Sequence, residues 1–193
     1  CNYELAMAAI EEEDLERAQT LLENVDNYED SEKQLNAVRY ELAEAALAAE
    51  NYADARILYN ALGSYKDSAT KLKQCSYAIA SAALAAGDYA AAISGFEALG
   101  SYQDSAAMFE EAAYQQALAL KAAGDTQGAA EVLAELPDSD RAKAELISIQ
   151  LDHGAELEAA GDYAAAAEVY GVECMIGCML EAKISVNAAV ELA

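Results

Sequence analysis

The chain has 193 residues and carries 11 Lys and Arg against 35 Asp and Glu, a formal net charge of −24. Nucleic-acid phosphate and anionic lipid surfaces repel such a chain, which excludes an unassisted nucleic-acid binder and attachment to an anionic membrane through this domain. A hydrophobic content of 55% excludes a disordered acidic tail, one Pro with few β-branched runs argues against a β-rich fold, and no uncharged apolar run is long enough to cross a bilayer.

In chain order the sequence repeats itself every 37 residues. Cys1-Asn2-Tyr3-Glu4-Leu5-Ala6 is in phase with Cys75-Ser76-Tyr77-Ala78-Ile79-Ala80, so the chain opens inside a long helix. Glu13-Asp14-Leu15, Glu50-Asn51-Tyr52, Gly87-Asp88-Tyr89, Gly124-Asp125-Thr126 and Gly161-Asp162-Tyr163 occupy one slot, followed at fixed distance by Ala18, Ala55, Ala92, Ala129 and Ala166. The Gly positions predict a left-handed turn, and the Asp or Asn after each predicts the N-cap of a second helix of about 11 residues. Within it Tyr89, Ala92, Ile93, Phe96 and Leu99 recur at helical spacing. The recurring Ala predicts close helix–helix approach. Gly63 or Gly100 ends this helix. Asn27-Tyr28-Glu29-Asp30-Ser31, Ser64-Tyr65-Lys66-Asp67-Ser68 and Ser101-Tyr102-Gln103-Asp104-Ser105 form the next turn. Asp67-Ser68 and Asp104-Ser105 predict side-chain caps for long helices of about 18 residues. The units run 30–66, 67–103, 104–140 and 141–177, with partial units at 1–29 and 178–193. Pairs that cannot bury both faces alone stack into an all-α solenoid of about five pairs.

Gly87-Asp88-Tyr89, Ala92-Ile93, Phe96 and Leu99 resemble the second half of a tetratricopeptide repeat (TPR), stretched from its usual length to 37 residues. The helix-ending Pro of that family is replaced by the Leu-Gly-Ser-Tyr-x-Asp-Ser turn. Its first-helix Trp is absent, with Tyr40, Tyr77 or Tyr114 one place further along. The chain is similar to the variant arrays of uncharacterised Gram-positive bacterial proteins, where such units lie beside a zinc ribbon, a membrane anchor or other modules. The resemblance implies a right-handed superhelix and a bacterial parent, cytoplasmic or surface-exposed through a membrane anchor. The 193 residues are read as a piece of that longer protein.

Chemistry is sparse. Cys174 and Cys178 could share a helix face, but a zinc site needs two further ligands and the single His, His153, sits in the slot of Leu42, Ile79 and Gln116. Small buried hydrophobes are the favoured reading for these Cys and for Cys1 and Cys75; a thiol redox or metal module at Cys174 and Cys178 is the alternative. His153 reads as a half-buried structural residue. No nucleophile motif, calcium loop or phosphate loop is present, and the chain is read as non-catalytic, with no cofactor or metal. Tyr65 and Tyr102 should pack beneath the turn, and Tyr52, Tyr89 and Tyr163 within their own pair. Tyr3, Tyr40, Tyr77 and Tyr114 have two readings: they replace the missing Trp between repeats, or they line the concave face that the resemblance implies. On that face the neighbouring slots are Met7, Glu44, Ser81 and Leu118, then Leu47, Leu84 and Lys121. The function expected is protein–protein interaction or scaffolding on that face, with a basic or amphipathic peptide or protein as partner. A structural spacer self-associating through the amphipathic residues 178–193 is the other outcome.

Overall fold

The computed structural model describes residues 1–25, 28 and 30–170, and every regular element among them is an α-helix. In order these are α1 (Asn2–Glu11), α2 (Leu15–Glu23), α3 (Ser31–Ala48), α4 (Tyr52–Leu62), α5 (Ser68–Ala85), α6 (Tyr89–Leu99), α7 (Ser105–Ala122), α8 (Thr126–Ala134) and α9 (Asp140–Ala159), followed by helix at 163–170. The expected alternation is present: α3, α5 and α7 have 18 residues each, α4 and α6 have 11. Cys1–Ala112 and Ala113–Ala193 form two compact units. Cys174, Cys178 and the helix expected over 178–193 lie outside the described residues, as do positions 26, 27 and 29 of the first turn.

Second helices begin as the sequence predicts. Asp14, Asn51, Asp88 and Asp125 accept from the backbone N–H three residues on, which satisfies one of the orphan donors of a helix N-terminus. Asp162 does the same for Ala165. Ahead of them Gly87, Gly124 and Gly161 hold φ of +78, +86 and +82°, the left-handed region that glycine enters without a Cβ penalty. Glu13 and Glu50 adopt the same conformation in the same slot.

Long helices begin differently. Asp30 and Asp67 stand at the N-caps of α3 and α5 but make no side-chain capping bond. Their carboxylates, and that of Asp104, accept instead from tyrosine hydroxyls 27 residues earlier. The expectation of Asp67 as a side-chain cap is thus corrected: a phenol on the preceding long helix takes its carboxylate. The following Ser31, Ser68 and Ser105 are buried, and neither Ser68 Oγ nor Ser105 Oγ finds a partner. Ala142, one period after Ser105, is equally buried. Ser68→Ala therefore removes an unpaired buried hydroxyl and should raise stability by about 1 kcal/mol, read from the urea midpoint at unchanged slope.

The core is one set of four slots used repeatedly. In the first unit it is filled by Ala6, Ala18, Leu22 and Val38, then Ala43, Ala55, Tyr59 and Cys75, then Ala80, Ala92, Phe96 and Ala112. In the second unit Ala117, Ala129, Leu133 and Ile149 hold the same phase. Each cluster joins a helix pair to the next long helix, and in the first unit each of α1 to α6 packs on its neighbour in sequence. The recurring Ala18, Ala55, Ala92, Ala129 and Ala166 are no more than 2% exposed, as expected for close backbone approach. A Cβ built on Gly95 would stand 2.7 Å from the Ala80 Cβ, so α5 and α6 approach as near as their side chains allow. The fifth repetition trades volumes: Gly154 stands where Ala6, Ala43, Ala80 and Ala117 stood, and the Tyr170 ring fills the space a Cβ there would need.

Cys75 is fully buried in the slot of Val38 and Ala112, a small hydrophobe whose thiol is pushed up by desolvation. Cys1 is exposed at the N-cap of α1, contrary to the expectation that it packs as Cys75 does. His153 and Tyr163 are exposed as well. Phase assigns a slot, but burial needs an element lying over it.

Candidate functional site

The nine residues expected on the binding face are all half-buried: Tyr3, Met7, Tyr40, Glu44, Tyr77 and Ser81 in the first unit, Tyr114, Leu118 and Lys121 in the second. In the first unit the tyrosines act as clamps. Tyr3 Oη donates to Asp30, Tyr40 Oη to Asp67 at 2.6 Å and Tyr77 Oη to Asp104 at 2.6 Å. Their rings meet the turn tyrosines edge-on, Tyr3 with Tyr28 at 5.5 Å, Tyr40 with Tyr65 at 5.9 Å and Tyr77 with Tyr102 at 6.2 Å. Tyr40 and Tyr77 also reach Tyr59 and Phe96 of the core. Tyr40 further carries the Lys66 ammonium 4.0 Å from its ring centre, a cation–π contact.

At Tyr114 the pattern changes. One period after Asp104 stands Arg141, whose guanidinium lies 4.3 Å from the Tyr114 ring centre. A cation on the ring face takes the place of a carboxylate on the hydroxyl. Lys121 binds Glu145 at 2.6 Å with Asp152 at 4.0 Å, and these carboxylates raise its pKa.

Glu44 is the junction of the first unit. It accepts from the buried Tyr59 hydroxyl and from Lys71 Nζ, and these two bonds hold its carboxyl below its ordinary range. One period later the three slots read Phe96, Ser81 and Met108, so phenol hydroxyl, carboxylate and cation disappear together.

The same bonds move the phenols. Tyr40 is pushed up to about 12 from 10.0, first by its hydrogen bond to Asp67, then by desolvation and the Glu44 charge. Tyr77 is raised by its bond to Asp104, and Tyr59 by burial and then by Glu44. Asp30 and Asp67 are lowered by the tyrosines that donate to them. A phenol raised on folding contributes stability that is complete below pH 10 and lost as pH rises through about 12. Tyrosinate absorbance should therefore emerge in at least two stages, and Asp67→Asn should move the Tyr40 stage back toward 10. A single stage at the ordinary value in the wild-type chain would show that the clamps do not form.

Among the described residues, two grooves stand out between successive second helices. One, of about 410 Å³, lies between α2 and α4 over α3, with Glu16, Gln19, Leu42, Ala46, Ile57 and Leu58 among its walls. The other, of about 610 Å³, lies in the second unit between α8 and helix 163–170 over α9. Glu16, Gln19, Leu42, Ile57 and Leu58 recur three periods later as Gln127, Ala130, His153, Glu168 and Val169, so both grooves are one feature of the repeat. Sequence reasoning missed them because their walls come from helices one period apart. It missed the clamps too, although the Tyr-to-Asp distance of 27 residues stands three times in the sequence.

Among the described residues no group of His, Cys, Asp and Glu could hold a metal ion, and no helix is long and apolar enough to cross a membrane. No family model matches the chain. Over 25 residues, 13% of the chain, it is 76% identical to an L-Ala-D/L-Glu epimerase of Clostridium acetobutylicum. The match spans 7% of that enzyme's length. It is shorter than one 37-residue period and brings neither a fold nor an activity to this chain.

Proposed function

We propose that the chain is a non-catalytic protein-interaction module, a right-handed α-solenoid of about five TPR-like helix pairs. Its first-helix face takes a basic or amphipathic peptide or protein surface. The observation that carries this is the contrast between a fixed frame and a varied face. The four core slots and the Tyr–Asp clamps repeat at constant phase, while the half-exposed slots one turn beyond each tyrosine change from Met7 to Glu44 to Ser81. The electrostatics agree. Arg17, Arg39, Lys71, Lys121 and Lys143 each pair with a carboxylate of the chain, and Lys66 and Arg141 lie on tyrosine rings. A large surplus of carboxylates is left for an incoming cationic partner, which they would steer.

A labelled basic amphipathic helix titrated into the protein tests this. Its affinity should fall steadily as salt rises from about 0.05 to 0.5 M. Amide protection should map to the Tyr40–Leu47 and Tyr77–Leu84 stripes, and Ser81→Lys should weaken binding. Affinity indifferent to salt, or protection confined to α4 and α6, overturns the reading.

A further inference from the structure

We propose that the groove between α2 and α4 over α3 docks a basic amphipathic helix of a partner protein. The apolar row of that helix lies on the groove floor, and its Lys or Arg flanks meet Glu16 and Asp54. This surface is separate from the first-helix face and goes beyond the reading above. Leu42, Ala45 and Ala46 lie about 140–240° around α3 from Tyr40, at roughly 100° per residue.

The floor is apolar, formed by Leu42, Ala45, Ala46 and Leu58, and the volume of about 410 Å³ admits the side chains of a segment laid along it. Ile57 lines the groove with 63% of its surface exposed. The repeat does not ask for an isoleucine there, since the same slot holds Thr20, Ser94, Glu131 and Glu168 in the other periods. The two carboxylates are equally local. Glu16 stands where other periods have Ala53, Ala90, Gln127 and Ala164, and Asp54 where they have Arg17, Ala91, Gly128 and Ala165. An acid on each wall and an exposed isoleucine coincide at this joint alone.

Of the three polar side chains in the lining, two are carboxylates, and the third, Gln19, commits its amide nitrogen to Glu23 at 2.7 Å. Arg17 of α2 and Arg39 of α3 pair with Glu12 at 3.4 Å and Glu23 at 2.9 Å, and neither Glu16 nor Asp54 enters an ion pair among the described residues. An acidic segment would meet both carboxylates unscreened, and a second copy of the chain would bring another −24 of charge. A purely apolar segment would leave both walls unanswered. The sign belongs to this groove and not to the chain at large. Beyond Ile57, the hollow between α4 and α5 is lined by Arg56, Asn60, Leu72 and Ser76, without a carboxylate. Apolar residues at i and i+4 of a helix form a row with cations on both sides, which matches a floor between two acidic walls. Exposed ion pairs add little affinity each, so the apolar row supplies most of the binding and the acids select the segment admitted.

Calorimetric titration of the full chain with three designed helices tests the assignment. The first carries Leu at i and i+4 with Lys on both flanks, the second replaces Lys by Glu, and the third replaces Leu by Ser. The Lys/Leu helix should bind, and each of the others about 10-fold or more weakly. Ile57→Thr, which installs the residue type of Thr20, should weaken binding about 3-fold or more. Glu16→Gln combined with Asp54→Asn should do the same and flatten the salt dependence, with melting temperatures unchanged. Methyl signals of Leu42, Ile57 and Leu58 should shift. Equal affinity for the Lys and Glu helices, no loss in either variant, shifts confined to Met7 and Leu47, absence of binding, or heat explained by self-association would each overturn it. Should the double variant melt early, the exposed Ile57 variant decides alone. Loss at Ser81→Lys with these responses intact reports on the first-helix face and leaves the groove standing, whereas loss of these responses alone removes the groove and leaves that face.

Discussion

Phe96→Ala should cost the first unit about 3–5 kcal/mol, seen as a fall in the urea midpoint at unchanged slope. Phe96 is 1% exposed and is the largest side chain of a cluster otherwise made of Ala80, Ala92 and Ala112. The buried alanines cannot swing into a vacated space, and only the half-buried side chains packed against the cluster, such as Leu84, Ile93, Leu99 and Met108, can relax toward it, so a cavity remains and the cost falls within the range for such truncations. The Tyr77 ring, edge-on at 5.7 Å, also loses its partner. Phe96→Leu should be milder, because Leu22 and Leu133 fill the same slot, with Val38 and Ile149 there making up volume where this cluster has Ala112. A loss under about 1 kcal/mol for the alanine variant would mean that the four-slot core does not hold the pairs together.

Glu44→Ser should cost about 1–3 kcal/mol, since it strands the buried Tyr59 hydroxyl and releases Lys71 from its carboxylate. Tyr59→Phe alone should cost less, because Glu44 keeps Lys71. Together the two changes recreate the Phe96 and Ser81 combination that the chain already uses one period later. The double variant should therefore be more stable than the sum of the singles, by a coupling of about 0.5–3 kcal/mol. Strict additivity would refute the network. The acid side carries the same signature. Glu44 is lowered on folding by Lys71 and then by Tyr59, so its contribution is present above its ordinary 4.5 and disappears as pH falls through the folded value. The acid limb of a stability profile should flatten in Glu44→Ser.

Much of the fold was legible because the period survives without an insertion. The glycine turns, the Asp and Asn caps of the second helices and the buried alanines each depend on a few adjacent residues, which a single sequence displays. Asp67 is misread as a cap for the same reason. A local motif, Asp-Ser before a helix, suggested a cap, while the real partner is a phenol 27 residues upstream. His153 and Tyr163 were assigned burial by phase, yet phase says nothing of what lies above a slot. The candidate face was readable as a list of positions. That Glu44 joins Tyr59 to Lys71 became visible only when three helices were placed together. The grooves were hidden for a similar reason, since no contiguous stretch contains both walls.

The four-slot core has a consequence for how such a chain grows. A duplicated unit meets its neighbours through the same four slots, two of them held by Ala in each of the first four periods, so the alanine contacts survive copying of a period. Copy number is then free to change by recombination, while the contents of the slots can drift only as matched sets. Gly154 with Tyr170 is one such set, and Tyr59 with Glu44 and Lys71 is another. A period moved without its matching partner would bring a void, a clash or a stranded hydroxyl. The joints of the array thus keep a record of which units have diverged together.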